Sequence, residues 1–447
     1  MKVHPLFDDS LPRLVETLTD LTNRDFVGSG TVLRDASGRL SFVANRAPKD
    51  DAEREKLGQA LIKSLGAYAR TDRPISFRGD GGTEPLLTAA ERLPIQVGDG
   101  FYHLLDRRIV GSGWLDAPTV VQTEPPRVVF ATLKGGVGRS TALAIAAADL
   151  ARRNRNVLVV DLDLEAPGLG DLLLDEDRTP EFGAIDYLVE NGIGGVLDSS
   201  LNAYIGSSGL TAAGGGRVDV LPALGRRSLA YPQNVLAKLS RAMIDDIIND
   251  RTVSVAEKIS SMISRITERE QYDAVFIDSR AGLSELAAPA VLGLGATVLL
   301  FGTAQKQTIE GYRVLFAALQ LLAQRDAGQE RDTEWRTMLR PVYAKASLNP
   351  NVSNRFVDDI YELYSAHIYD AESNGEDASE PLRFARDDMA APHWPLIVPF
   401  SQAFVDFDPG RLPDQLTQSF YEQTFRPFLL GLEAAMLSGK TASGSRA

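Results

Sequence analysis

From residue 127 onward the chain is punctuated by short, unbroken apolar runs. They are Arg127-Val128-Val129-Phe130-Ala131-Thr132, Asn156 to Asp163, Val218 to Pro222, Asp273 to Asp278 and Ala296 to Phe301. Runs without polar alternation predict strands covered on both faces. Between them lie helical patterns. Ala142 to Arg153 is rich in Ala and Leu and free of Gly and Pro, and Val253 to Glu268 sets Val255, Ile259, Met262, Ile263 and Ile266 on one side. Strands alternating with helices predict an α/β fold with a doubly wound, mostly parallel sheet, whose working edge is at the carboxyl ends of the strands. Two later strands are expected at Leu339 to Ala344 and Leu396 to Phe400, with a helix at Val357 to Ile368 between them. A last helix is expected over Leu412 to Leu437, broken or kinked at Pro427.

The first 120 residues have a different texture. Leu11, Leu14, Val15, Leu18 and Leu21 keep helical spacing, as do Leu57, Leu61, Ile62 and Leu65 within Ala52 to Ala69. Thr31 to Asp35 and Leu40 to Ala44 flank Ala36-Ser37-Gly38-Arg39 and predict a hairpin, and Phe101 to Leu105 a further strand. This reads as a smaller α/β domain without a chemical constellation, suited to docking a partner or to dimerisation. Thr123-Glu124-Pro125-Pro126 is the expected connector, because each proline restricts the residue before it to extended backbone. The expected organisation is therefore residues 1–122, then 127–437, then a small polar tail at 438–447. The acidic stretch Asp370 to Glu380 reads as an exposed loop.

Composition narrows the function classes. The 447 residues carry a formal net charge of −13, which argues against nonspecific attraction to DNA or to an anionic membrane. There is no cysteine, which excludes disulfides, thiol catalysis and Cys-based metal sites and fits a cytoplasmic setting. The start of the chain turns acidic at Asp8-Asp9 before any apolar core forms, unlike a secretory signal, and no apolar run is long enough to span a bilayer. His4, His103, His367 and His393 show no metal-ligand spacing, so ordinary structural roles are expected for them.

The candidate chemistry centres on Leu133-Lys134-Gly135-Gly136-Val137-Gly138-Arg139-Ser140-Thr141, between the first buried strand and the Ala-rich helix. Strand, glycine-rich turn and helix in that order make a phosphate cradle. Glycines let successive backbone N–H groups face inward, and the helix N-terminus adds partial positive charge. The general pattern is GxxxxGK[ST], from which this loop departs by Leu133 at the first glycine and Arg139 at the lysine. A guanidinium keeps the charge but is bulkier, so phosphate binding is expected to survive while hydrolysis slows. Ser140 is the hydroxyl expected at Mg²⁺, Asp278 ends an apolar strand as the metal-holding acid should, and Asp163 is placed to orient an attacking water and to help at the metal. Asp161 reads as structural. The plainer alternative is that Asp161 and Asp163 are both turn or cap acids.

These motifs resemble the ParA/MinD ATPases, whose deviant Walker A loop reads KGGxGK[ST]T. Val159-Val160-Asp161-Leu162-Asp163 is similar to that family's second acidic motif, and Tyr272 to Ser279 to its Walker B strand. Gln307 to Leu315 resembles the helix after the next strand, and Ile397-Val398-Pro399 the late strand near the nucleotide base. The resemblance covers roughly residues 127 to 430 and leaves the first 120 unexplained.

The resemblance implies ATP and Mg²⁺ as cofactors. Lys134 would reach across a homodimer formed on ATP binding to the partner's phosphates. Gly135, Gly136, Val137, Gly138, Arg139, Ser140 and Thr141 would wrap the bound phosphates. Asp163 would position the water, Asp278 would hold the metal, and Gly282 would sense the γ-phosphate. Ser279-Arg280-Ala281-Gly282 departs from the family's Pro-containing switch segment, and Arg280 either approaches the phosphates or pairs with an acid such as Glu285, the pair being favoured. Lys345 and Ser401 are positional candidates near the base. Phe425 to Leu437 has Arg426 as its only basic residue, against a membrane-targeting helix.

The expected function is a cytoplasmic, Mg²⁺-dependent ATPase acting as a dimerisation switch, with a protein partner engaged through the N-terminal domain and neither DNA nor membrane as target. The alternative is a nucleotide-binding regulatory or scaffold protein that does not hydrolyse. A ligase or kinase on the same fold would need a second ligand pocket, for which the sequence offers no clear candidate.

Overall fold

The computed structural model describes residues 5–120, 123–209, 215–248, 251–371 and 381–444. The chain divides into two compact units, Met1–Asp116 with Ala318–Thr333, and Ala117–Ala317 with Glu334–Ala447.

The first unit is built on a mixed five-stranded sheet of β1 (Thr31–Arg34), β2 (Leu40–Ala44), β3 (Ile75–Phe77), β4 (Leu93–Val97) and β5 (Gly100–Asp106), in the order β3-β2-β1-β5-β4. The hairpin β1–β2 forms as the alternation predicts, Thr31 facing Val43 and Arg34 facing Leu40. Helices Phe7–Leu21 and Asp51–Leu65 bury Leu14, Leu18, Leu57, Leu61 and Leu65 with Phe42 and Phe77. Asp50 starts the second of these helices by accepting the Glu53 N–H at 2.7 Å, which satisfies one of the amides a helix start leaves open.

The second unit holds β6 (Arg127–Thr132), β7 (Val157–Asp161), β8 (Gly206–Ser207), β9 (Val218–Leu221), β10 (Asp246–Ile248), β11 (Arg251–Val253), β12 (Ala274–Asp278), β13 (Thr297–Gly302), β14 (Leu339–Ala346) and β15 (Leu396–Pro399). β10 and β11 pair as a separate antiparallel ribbon. The others form an eight-stranded sheet, β15-β14-β13-β6-β12-β7-β9-β8, parallel throughout except for β8 at one edge. β6 lies in the middle, between two strands that come later in the chain, so loops on its two sides diverge to opposite faces and leave a crevice at its carboxyl end. This is the doubly wound α/β architecture expected from the apolar runs.

The helix Arg139–Arg152 lies on the sheet with residues 142–147 fully buried, and the small side chains of Ala142, Ala144, Ala146 and Ala147 let it approach closely. The same face carries the C-terminal helix. Tyr421, Phe425, Phe428 and Leu432 are buried there, Phe428 against Phe130 and Phe301 at 6.4 and 5.9 Å between ring centroids. That helix corrects one expectation: it spans Gln418–Gly444 without a break at Pro427. Proline costs one backbone hydrogen bond, and buried aromatics on both sides of it hold the helix in place. Residues 445–447 of the expected tail and 372–380 of the expected acidic loop lie outside the described residues. No described helix is long and apolar enough to cross a membrane.

Candidate nucleotide site

The loop leaves β6 at Thr132, whose Oγ1 donates to the Phe301 carbonyl at 3.0 Å and accepts from the Lys134 N–H at 3.2 Å. It then turns through Gly136 (φ +75°) and Gly138 (φ +91°), left-handed conformations that side chains resist. A Cβ built at Gly135, Gly136 or Gly138 would meet nothing within 4 Å, so the backbone at these positions borders open space. Gly138 is the cap of the helix Arg139–Arg152, and its carbonyl accepts the Ala142 N–H at 3.0 Å. Val137 turns inward and packs into the core. Open glycine backbone at a helix N-terminus fits a polyphosphate.

Around this cradle the parallel register gathers the acids. Asp278 ends β12 level with Asp161 at the end of β7, and the Leu162 N–H donates to the Asp278 carbonyl at 2.9 Å. Asp161 is sealed and accepts the N–H groups of Asp163, Gly168 and Leu169 at 3.0, 3.4 and 3.2 Å, the structural role expected for it. Burial, reinforced by the neighbouring Asp278, pushes its pKa up. Ser140 Oγ donates to Asp278 Oδ2 at 2.7 Å. Burial also raises the Asp278 pKa, against the pull of Arg139 and Ser140.

Arg139 does not face the open side of the loop. Its guanidinium, in a residue 8% exposed, runs behind the cradle into the acids. Nη2 lies 3.0 Å from Asp163 Oδ2 and 3.5 Å from Ser140 Oγ, and Nη1 donates to the Ser279 carbonyl. Nε sits 2.5 Å from Asp278 Oδ1, an ion pair off the angle of a hydrogen bond. Burial works against this charge, but Asp278, Asp163 and Asp161 outweigh it and hold the arginine pKa above its ordinary value. Arg280 adds a second guanidinium. Its Nη1 donates to Asp163 Oδ1 at 3.2 Å and its Nη2 lies 2.6 Å from Glu165, so its observed acid partners are Asp163 and Glu165. Arg280 thus takes acids from the strand-end loop opposite, not the Glu285 expected from nearness in sequence. Both carboxylate oxygens of Asp163 are engaged.

Lys134 is exposed, with Nζ donating to Gln307 Oε1 at 3.1 Å. It borders a cleft of about 300 Å³ lined by Leu133, Gly282, Leu283, Gln307 and Thr308. Gly282 has φ +90°, and its N–H donates to the Thr132 carbonyl at 2.8 Å. Thr141 is half-buried on the first turn of the helix. Lys345 is exposed at a left-handed bulge (φ +50°) where the β14–β15 register slips, and Ser401 is half-buried just past β15. β15 is three strand spacings from β6, roughly 14 Å.

Ser140, Asp163 and Asp278 are brought together, and each touches the Arg139 guanidinium. In this arrangement they do not fit a magnesium ion, which needs oxygen ligands at about 2.1 Å in octahedral geometry. Among the described residues no group of three or more His, Cys, Asp or Glu side chains is arranged to hold a metal. Sequence reasoning missed Glu165, Gln307 and the Ser279 carbonyl as partners of the site's cations. The run Asp163-Leu164-Glu165 was the available signal for the first, and a backbone carbonyl leaves none.

Several solved structures are similar to this chain. The pNOB8 ParA bound to nonspecific DNA is 14% identical, over 71% of this chain and 99% of its own, with a TM-score of 0.42. The MinD cell division protein of Aquifex aeolicus is 18% identical, over 72% and 98%, at 0.39. A ParA family ATPase from Chlorobium tepidum TLS is 15% identical, over 68% and 99%, at 0.42. No curated protein matches the chain. The CbiA family model, the CobQ/CobB/MinD/ParA nucleotide binding domain, matches residues 128–334, a stretch holding the glycine loop, all three acids and both arginines. Residues 128–334 of this chain are thus similar to the CobQ/CobB/MinD/ParA nucleotide binding domain.

Proposed function

We propose that this domain binds ATP on the Leu133–Thr141 loop and works as a switch of assembly. Two copies of the chain join when each offers Lys134 to the other's phosphates, and hydrolysis returns them to monomers. The observation that carries this reading is the placement of Lys134. Its ammonium stands exposed at the lip of an open glycine cradle and is held by the neutral Gln307, with no acid of its own chain within ion-pair range among the described residues. A lysine supplied by a second copy neutralises phosphate charge only when two subunits meet, which couples nucleotide state to dimer state. The N-terminal unit would pass that state to a protein partner in the cytoplasm. The net charge of −13 favours a protein over DNA as that partner. Light scattering with and without ATP tests the switch: the wild type should double its mass on ATP and Lys134→Ala should stay monomeric. Equal dimerisation of the two would remove Lys134 from the mechanism.

A second reading is favoured by Arg139. Because that residue and Arg280 together engage both oxygens of Asp163, the acid assigned to the water is committed to ion pairs, and the domain would bind nucleotide without useful turnover. Phosphate release by Arg139→Lys separates the two readings. A clear gain over the wild type supports the non-hydrolysing form, and a loss supports the hydrolysing one.

A further inference from the structure

The side chain at the lysine position of the loop is placed where a metal ion would be expected. Arg139 contacts Asp278 Oδ1 (2.5 Å), Asp163 Oδ2 (3.0 Å) and Ser140 Oγ (3.5 Å), the three groups that sequence reasoning assigned to Mg²⁺, and also donates to the Ser279 carbonyl. It is a buried cation surrounded by oxygens. Resting on the reading that the loop binds ATP, we propose that Arg139 is a built-in substitute for the divalent cation, so that the domain takes the nucleoside triphosphate free of metal.

Three features of the site support this. The guanidinium is fixed at the first residue of a helix whose next turns are fully buried, so its stem starts from a rigid point at the base of the cradle. Admitting a dication beside it would place like charges together in a site screened from water. Expelling it would leave the buried Asp278 without a cation and Asp163 with Arg280 alone. In P-loop NTPases the metal bridges β- and γ-phosphate oxygens and neutralises their charge. Here the charge facing the open side of the loop comes instead from Lys134, from the loop amides and from the helix terminus.

The residue type matters. Only a planar fork reaches two carboxylates and a carbonyl at once, and a lysine ammonium is a point charge on a different stem. Arg139→Lys should therefore loosen the arrangement and readmit the metal.

The test is calorimetric titration of the full-length chain with ATP in EDTA and in Mg²⁺, for the wild type and for Arg139→Lys. The wild type should bind with affinities within about threefold of one another in the two buffers, and the variant should gain about tenfold or more from Mg²⁺. Wild-type binding that needs Mg²⁺ by about tenfold overturns the substitution while leaving ATP as the ligand. Metal-independent binding by both proteins removes Arg139 from the explanation. No ATP binding in either buffer sinks the nucleotide reading and this proposal together. Should the variant fail to fold, the wild-type comparison still decides.

Discussion

Arg139 and Asp163 form a buried ion pair, Nη2 to Oδ2 at 3.0 Å, joining the start of the loop helix to the segment just past β7. Asp278 shares the same guanidinium. Removing the cation leaves Asp278 without a cationic partner in a water-poor site and Asp163 with Arg280 alone. Arg139→Ala should lower the stability of the second unit by about 3–5 kcal/mol, the usual cost of leaving a buried charge without its partner. Adding Asp163→Asn and Asp278→Asn to that variant should restore much of it. Urea unfolding of the single and triple variants measures both, and a single variant as stable as the wild type would mean that the pairing contributes nothing net.

Tyr421 ties the C-terminal helix to the loop helix. Its hydroxyl donates to Asp149 Oδ1 at 3.0 Å, and Arg153 holds the other oxygen of that carboxylate at 2.8 Å. Tyr421→Phe keeps the ring's packing and loses one hydrogen bond to a charged acceptor, for an expected cost of about 1.5–3 kcal/mol. Phe428→Ala removes a buried ring packed edge-on or tilted against Phe130, Phe301 and Phe425 and should cost about 3–5 kcal/mol. Denaturant midpoints rank the two. A larger loss in Tyr421→Phe than in Phe428→Ala would contradict the assignment of this contact to core packing.

Much of the second unit was legible in the chain because parallel strands buried on both faces must be continuously apolar, as Val157 to Val160 and Ala274 to Ile277 are. The elements missed were those with weak local signals. β3 is three residues long, and β4 carries Pro94, tolerated because β4 is an edge strand of its sheet. Pro427 misled in the other direction, since local propensity expects a break where tertiary burial of Phe425 and Phe428 maintains the helix. At the site, spacing pointed to the loop and the strand-end acids, which the fold brings together. It did not show which way Arg139 turns, because a long cation's direction depends on acids that only the fold brings near. Arg280 makes the same point: its partners Asp163 and Glu165 lie more than a hundred residues earlier, while Glu285 is five residues away.

The first unit offers a pH test independent of the nucleotide site. Arg46 grips Glu53 with both ends of its fork, at 2.6 and 2.9 Å, and the Lys49 N–H donates to the same carboxylate at 2.7 Å. The Arg46 hydrogen bonds, aided by that amide, lower the Glu53 pKa from 4.5 to about 2. A carboxylate with a depressed folded-state pKa contributes stability above its ordinary pKa, and that contribution is lost as the pH falls through the folded value. Glu53→Gln should therefore melt below the wild type near about pH 7, with the gap narrowing towards about pH 3. A gap of constant size across that range would place the effect in packing and not in charge.

The account stands on the glycine loop holding a triphosphate. Gly136 adopts φ +75° on the open side of the cradle, where a β-branched side chain both strains the backbone and fills the phosphate space. Calorimetric titration of ATP into the wild type and into Gly136→Val is the most direct measurement of that claim. It predicts one ATP per wild-type chain and no detectable heat of binding in a variant that remains folded. Equal ATP binding by both proteins, or none by the wild type, contradicts it.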